Sequence, residues 1–136
     1  TVKGIVAKYP KDVRLVMRYL PLHPGSAEAI VILEAARVQG KLEPVTAALL
    51  EAQPEWHDGK MDGAWAAAEK AGLNVAKARA MPTTDAMAWM EQDIADARAV
   101  GVRGTPTFFV NGEMLVQPSP EQVEARVQAA VAAKGK

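Results

Sequence analysis

The sequence predicts a mixed α/β fold in which a helical block separates a first strand from a C-terminal hairpin. Three observations predict it. Apolar residues alternate over residues 13–20, alanine-rich helical segments fill residues 26–100, and Asn111-Gly112 lies between two short apolar runs. The 136 residues are enough to form one domain with a substantial core.

Composition excludes several classes of function. Lys and Arg together number 16, as do Asp and Glu, so no net charge favours nucleic acid or an acidic membrane surface. No apolar run approaches the roughly 18 residues that a transmembrane helix needs. Because the chain contains no cysteine, it can form no disulfide, no thiolate metal site and no thiol nucleophile within these residues.

The first 22 residues predict a helix end followed by a strand. Residues 1–9 are typical of the last turns of a helix, which Tyr9-Pro10 terminates. Over residues 13–20 the period of two and the β-branched content predict a strand, which Pro21 closes. Since the sequence opens inside a helix and without Met, we expect further residues upstream of Thr1.

The helical block predicts five helices, each bounded by capping or breaking residues. They cover residues 26–38, about 44–53, 61–71, a short stretch after residue 74, and 84–100. Ser26 and Asn74 are the predicted N-caps of the first and fourth helices. In the fifth helix, the spacing of four apolar residues predicts the buried stripe: Met87, Met90, Ile94 and Ala97.

The C-terminal third predicts a hairpin and a final helix. Asn-Gly between two apolar runs favours a type I′ turn, which needs positive φ at both central residues. Ser119 and Gln122 have the spacing of a capping box, with Pro120 at the first helical position. The helix that follows is predicted to bury one apolar face: Val123, Val127, Ala130 and Val131.

The remaining candidate chemistry has simpler structural explanations. His23 and His57 lie far apart and lack the spacing of metal ligands, so structural or exposed roles are expected and no metal site is predicted. Asp93 and Asp96 are interpreted as part of a solvated helix face rather than a catalytic pair. The glycines at 101 and 104 lack the spacing and the preceding strand of a phosphate loop.

One junction remains unusual, because Thr105-Pro106 directly precedes the apolar run of the predicted hairpin. Proline has no N–H for a sheet ladder and belongs at strand starts, edges or bulges. Composition and spacing alone favour an ordinary trans proline, since only about 5–6% of X–Pro bonds in folded proteins are cis.

The stretch "GVRGTPTFFVNGEML" resembles the cis-proline loop and terminal hairpin of the thioredoxin superfamily. Within it, the whole chain is similar to the DsbA-type thiol–disulfide oxidoreductases. Three further stretches carry this resemblance, namely "DVRLVMRYLPLH", "SAEAIVILEAARVQGKLEPVTAALLEAQPEW" and "AWMEQDIADARAVGVRGTPTFFVNGE".

The resemblance implies a thioredoxin-like fold with an inserted helical domain. Residues 1–22 and 101–136 would form the thioredoxin-like part and residues 23–100 the insertion. The family begins with a strand and a helix that carries C-x-x-C at its N-terminus, and this N-terminal βα portion is missing here. The resemblance therefore places the cysteine pair upstream of Thr1, with no catalytic residue in this chain, which should itself be inactive.

The same resemblance implies a substrate-binding site at Gly104, Thr105 and Pro106, the loop that faces C-x-x-C in the family. There the main chain of Thr105 would pair with an extended protein or peptide substrate, with little demand on its side chains. The implied reaction is dithiol–disulfide exchange without a cofactor, with protein substrates and a redox partner protein, in the periplasm or another exported location.

The missing strand predicts a gap between residues 13–20 and 107–111. With strands about 4.8 Å apart, its removal leaves a gap of roughly 9.6 Å between two unpaired edges. We expect one of three outcomes: a segment supplied by another chain, as in a strand-swapped dimer; direct pairing of the two edges; or a longer parent molecule.

Two alternatives to the oxidoreductase stay open. The first is a non-redox thioredoxin-like domain that keeps the groove for a peptide or partner. The second is a glutathione-handling relative that uses serine in place of the first cysteine. The residues upstream of Thr1 would separate all three.

Overall fold

The computed structural model describes residues 2–134, which form eight helices and one two-stranded sheet. The elements in chain order are α1 (Val2–Lys8), α2 (Ser26–Val38), α3 (Leu42–Glu51), α4 (Gln53–Trp56), α5 (Asp62–Lys70), α6 (Val75–Ala80), α7 (Thr84–Ala99), β1 (Thr107–Val110), β2 (Glu113–Val116) and α8 (Pro120–Lys134). They form two compact units. We call residues 2–18 with 97–134 the terminal unit, and residues 19–96 the helical unit.

The helical unit has a close-packed core that is rich in alanine. Ile32 on α2 and Val45 on α3 have no exposed surface. Small side chains complete the interior and allow the helices to approach closely: Ala29, Ala35, Ala36, Ala64, Ala68 and Ala78. The indole N–H of Trp56 donates to the carbonyl of Leu49 at 3.1 Å, so this large side chain is buried without an unsatisfied donor.

The terminal unit has a smaller core, built where α1, α8 and the hairpin meet. Ile5, Val123 and Val127 are buried, and a second set of partly buried side chains packs against them: Tyr9, Val13, Phe108, Val110 and Val131. Ion pairs at the surface join its sequence-distant parts. The Lys8 ammonium pairs with Glu124, and Lys134 donates to Asp12 at 2.9 Å.

The predicted hairpin is confirmed, including its turn chemistry. β1 and β2 pair antiparallel with Val110 opposite Glu113. Asn111 and Gly112 both have positive φ, 49° and 83°, as a type I′ turn requires. In a hairpin closed by two residues, the flanking pair exchanges both main-chain hydrogen bonds and the next pair exchanges none. The N–H and C=O of Thr107 and Phe109 therefore point away from β2, along the free edge of β1.

The predicted strand over residues 13–20 is wrong for the described chain. Residues 13–20 contain no helix, strand, turn or bend and no positive φ. The chain turns at Pro21, where the N–H of Leu22 donates to the carbonyl of Leu20 at 3.0 Å. Across residues 2–134, the main-chain groups of residues 14–17 have no hydrogen-bond partner. An alternating pattern predicts an extended chain, but a strand also needs a neighbouring strand to form a ladder. Direct pairing between this segment and the hairpin edge, one of the three expected outcomes, does not occur.

Two predicted helix starts and ends differ from the structure. Gly25, at φ 79°, is the N-cap of α2 instead of Ser26, whose hydroxyl accepts from the N–H of His23 at 3.3 Å. Pro54 lies at the start of the short helix α4 instead of ending α3, because a proline is tolerated in the first helical turn.

The predicted buried stripe of α7 is confirmed at Met90, while Ile94 and Ala97 are half-buried. Ala86, Met90 and Asp93 are the buried residues of this helix, whereas Met87 is exposed. Both stripes have helical spacing, so the sequence alone left the phase undecided. In the structure Ala86, which is smaller than Met87, is the residue that is buried.

The other predicted caps are confirmed. The Asn74 side chain accepts from the N–H of Lys77 at 2.9 Å and so caps α6. At α8 both hydrogen bonds of the predicted capping box are present. The N–H of Ser119 donates to Gln122 Oε1 at 2.7 Å, and the N–H of Gln122 donates to Ser119 Oγ at 3.2 Å.

Candidate functional site

The end of α7 leads directly into the candidate site. The N–H of Gly101 donates to the carbonyl of Arg98 and the N–H of Val102 donates to that of Ala97, at 3.2 and 2.9 Å. This pair of bonds is a Schellman motif, and it requires the left-handed φ of 76° that Gly101 adopts. The motif ends the helix sharply and starts the loop that reaches β1 six residues later.

The loop closes on itself at Gly104 and Thr107. The Thr107 hydroxyl donates to the Gly104 carbonyl at 2.6 Å, which fixes the two ends of the loop around Thr105 and Pro106. The Thr105–Pro106 peptide bond is cis. Both residues are exposed, and within residues 2–134 Thr105 makes no hydrogen bond. Its N–H and C=O are therefore available to an external main chain.

Two further features lie on the same unit as this loop. Phe109 on β1 is 44% exposed. β1 and β2 form the one sheet among the described residues. A groove of about 560 Å³ runs along the free edge of β1. The family resemblance predicted a gap here, and α1 and α8 supply its floor. That floor consists of Ile5, Val123 and Val127.

The two histidines belong to the helical unit and take no part in this loop. The ring Nδ1 of His57 lies 2.9 Å from the carbonyl oxygen of Pro54, a local contact within one turn. His23 lies in the bend before α2. No cluster of three His, Cys, Asp or Glu side chains able to hold a metal ion exists among the residues that the structure describes.

Asp93 is the polar residue that sequence reasoning placed wrongly. It is buried, and its carboxylate accepts from the N–H of Tyr19 at 2.8 Å, so it joins α7 to the start of the helical unit. Burial raises the pKa of the Tyr19 phenol, and the nearby carboxylates of Asp93 and Glu34 raise it further. The sequence did contain an indication that Asp93 is buried, because it lies three residues after the buried Met90 and therefore on the same face of α7.

Comparison with known proteins gives the family. A family model described as thioredoxin matches residues 1–129. The chain belongs to the thioredoxin family. It is also similar to a Na⁺/H⁺ antiporter, NhaA, of Herminiimonas arsenicoxydans, with 34% identity over 110 residues. That match covers 80% of this chain but 17% of the antiporter, so the chain spans less than a fifth of this relative. No solved structure matches the chain.

Membership of the thioredoxin family agrees with the mixed helices and small sheet of the structure. Among residues 2–134, no helix has the length and apolar character to cross a membrane. The candidate loop lies within the region that the family model matches.

Proposed function

We propose that this thioredoxin-family chain belongs to a DsbA-like thiol–disulfide oxidoreductase, in which Gly104, Thr105 and Pro106 hold an extended protein substrate. The observation that carries the proposal is that Thr105 is an exposed residue whose main-chain groups have no hydrogen-bond partner within residues 2–134. Main-chain pairing accepts many sequences, as a general disulfide oxidant requires.

The loop geometry supports this role in two ways. The hydrogen bond from the Thr107 hydroxyl occupies the Gly104 carbonyl and holds the two ends of the loop together. Substrate binding would therefore need to order few further groups of the loop. Pro106 offers no N–H, which leaves the N–H and C=O of Thr105 as the adjacent pair for an incoming strand.

The exchange itself needs two cysteines, and none lies within these 136 residues. In the proposed enzyme, a pair outside them, placed upstream of Thr1 by the family resemblance, supplies the disulfide. A substrate thiolate attacks one sulfur of that disulfide, forms a mixed disulfide and releases the other thiolate. The second substrate thiolate then attacks the mixed disulfide, which leaves the substrate oxidised and the enzyme pair reduced. The substrates, the redox partner and an oxidising compartment such as the periplasm belong to this proposal.

The binding step can be tested on the chain itself by NMR. We would titrate it with a capped six-residue peptide in which serine replaces cysteine. Shifts are expected at the amides of Gly104, Thr105 and Thr107, and none at the Asn111-Gly112 turn. A peptide of the same sequence with N-methylated amides should not bind, whereas a peptide with different side chains should. Binding that survives N-methylation would contradict main-chain recognition.

The redox step needs a separate assay, namely reduction of insulin by dithiothreitol. The 136-residue chain should give background turnover, because it contains no thiol. The complete gene product should accelerate the reaction. Turnover by the cysteine-free chain, or a complete product without a cysteine pair, would contradict the oxidoreductase.

The second candidate is a non-redox thioredoxin-like domain that binds a peptide or partner. The observation that favours it is the similarity to a protein named Na⁺/H⁺ antiporter NhaA. In this case the peptide titration gives the same shifts at residues 104–107, while the complete gene product stays inactive towards insulin.

A further inference from the structure

The terminal unit, which carries the Gly104–Pro106 loop, is strongly basic although the whole chain has no net charge. We propose that Arg103 is a specificity-determining residue of this loop, and that it makes the site prefer an extended polypeptide segment with an acidic side chain. The proposal rests on the substrate site proposed above and names the class of polypeptide that this site selects.

The first argument comes from the distribution of charge between the two units, which cancels in the composition of the chain. In the terminal unit, over residues 2–18 and 97–134, nine lysines and arginines outnumber four aspartates and glutamates, a net charge of +5. In the helical unit, twelve acidic residues outnumber six basic ones, a net charge of −6. The unit that contains the candidate site therefore attracts acidic segments through its own charges.

The second argument concerns the partners of these charges. Three of the four acidic residues form surface ion pairs: Glu124 with Lys8, Asp12 with Lys134, and Glu113 with Arg126. The fourth, Glu121, lies in the first turn of α8, where the N–H groups of a helix start favour a carboxylate. Within residues 2–134, four cations of the unit therefore have no hydrogen bond or ion pair from their side chains: Lys11, Arg14, Arg98 and Arg103.

The third argument is the position of Arg103 among these four cations. Arg103 lies two residues before Thr105, so the Cα atoms of the two residues are at most about 7.6 Å apart. Arg98 has a local role, since it lies in the last turn of α7, where the helix dipole favours a cation. Arg103 belongs to the loop itself and is exposed. A segment that pairs with the main chain of Thr105 would bring its neighbouring side chains within reach of Arg103, and a carboxylate among them would form an ion pair.

The test is an NMR titration of the 136-residue chain with three capped six-residue peptides that share their four central residues. The peptides carry Glu, Gln or Lys at both ends, so either strand direction brings one of these side chains near Arg103. The amide shifts of Gly104, Thr105 and Thr107 give the Kd of each peptide. The Glu peptide should bind about two- to fivefold more tightly than the Gln peptide, as is typical of an exposed ion pair, and the Lys peptide should bind most weakly. The differences should disappear in roughly 1 M salt, where the Debye length is about 3 Å.

Two matched variants separate Arg103 from the general charge of the unit. Arg103→Gln and Lys11→Gln each remove one exposed positive charge that has no partner within residues 2–134. Lys11 precedes Asp12, which pairs with Lys134 at the last residue of α8, a helix about 22 Å long. The loop, in contrast, enters β1 opposite Val116, which shortly precedes the first turn of α8.

The two variants should therefore give different results. Arg103→Gln should abolish the preference for the Glu peptide, whereas Lys11→Gln should retain most of it. The charge reversal Arg103→Glu should invert the order of affinities, so that the Lys peptide binds most tightly.

The outcomes distinguish this proposal from the substrate site on which it rests. Equal affinities of the three peptides at the same amides, or a preference that Arg103→Gln retains, would overturn the role of Arg103 and leave main-chain recognition at Thr105 intact. Absence of shifts at residues 104–107 with every peptide would overturn the substrate site and the role of Arg103 together.

Two further results would also overturn the role of Arg103. The complete gene product should show the same preference for the Glu peptide, and loss of the preference there would assign Arg103 to a carboxylate of that product. Tighter binding of a short single-stranded DNA than of the Glu peptide, with shifts at the Arg103 amide, would assign the positive charge to nucleic acid.

Discussion

The helical unit and the terminal unit contain similar kinds of residue but use them differently. In the helical unit, side chains from five helices converge on one interior, and Ile32 and Val45 are entirely excluded from solvent. In the described part of the terminal unit, the buried residues are Ile5, Val123 and Val127, at the floor of an open groove. Apolar residues of the same unit, among them Val16 and Phe109, remain exposed.

The difference follows from how each kind of element satisfies its backbone. A helix makes its main-chain hydrogen bonds within itself, so a helical unit needs only side-chain packing to be complete. A strand needs a neighbouring strand, and within residues 2–134 neither residues 13–20 nor the groove edge of β1 has one. The terminal unit therefore contains both the exposed loop of the proposed substrate site and an open groove along β1.

The largest expected contrast between the units is in amide hydrogen exchange. Amides of residues 14–17 have no hydrogen bond within residues 2–134 and should exchange at close to the unfolded rate. Amides at the centre of α2, such as those of Ile32 and Ala35, should exchange at least about a thousandfold more slowly. Mass spectrometry or NMR measures both. Comparable protection in the two segments would show that residues 14–17 are paired in solution.

Truncation of one isoleucine in each unit should separate a closed core from an open one. Ile32→Ala leaves a cavity in a fully enclosed site and should cost about 3–4 kcal/mol in the free energy of unfolding. Ile5→Ala, at the floor of the groove, should cost about 1–2 kcal/mol, because water can enter the space. Urea denaturation gives both values, with the exposed Val38→Ala of α2 as the control. Equal costs would mean that the groove is occupied in solution.

The two helix-start serines offer a matched pair of smaller effect, one in each unit. Ser119→Ala removes the capping box of α8 and should destabilise the terminal unit by about 1 kcal/mol. Ser26→Ala removes only a 3.3 Å contact to the N–H of His23 at a helix that Gly25 caps, so its cost should be well below that. Urea denaturation followed by circular dichroism measures both. A larger cost for Ser26 than for Ser119 would contradict the assigned caps.

Tyr19 gives a pH-dependent probe of the helical unit. Burial first, and then the carboxylates of Asp93 and Glu34, raise the pKa of its phenol, so it should ionise above its ordinary value of about 10. The neutral phenol stabilises the fold fully below the unfolded pKa, and this contribution is lost as pH rises through the folded pKa.

In the Tyr9→Phe background, Tyr19 is the single tyrosine, and absorbance at alkaline pH follows its ionisation alone. Asp93→Asn should reduce the rise without abolishing it, because burial is the larger cause. An ordinary pKa in the Tyr9→Phe chain would mean that Tyr19 is solvated.

The sequence by itself determined the features that depend on nearby residues. Asn111-Gly112 sets a turn through its own backbone preferences, Ser119 and Gln122 cap a helix across one turn, and Gly101 ends α7 through a local motif. The resemblance carried by "GVRGTPTFFVNGEML" also drew attention to the loop at Thr105 and Pro106, and the chain belongs to the thioredoxin family.

Only the tertiary structure decided the features that depend on distant partners. It buried Ala86 and Asp93 instead of Met87, and it gave Pro54 a place at the start of α4. It left residues 13–20 without a ladder, because alternation specifies which side chains share a face but cannot supply the neighbouring strand. The same reason explains the groove. The groove is lined by residues 12–15 and 108–111, which are more than 90 residues apart in the chain, and its floor forms where α1 and α8 pack together.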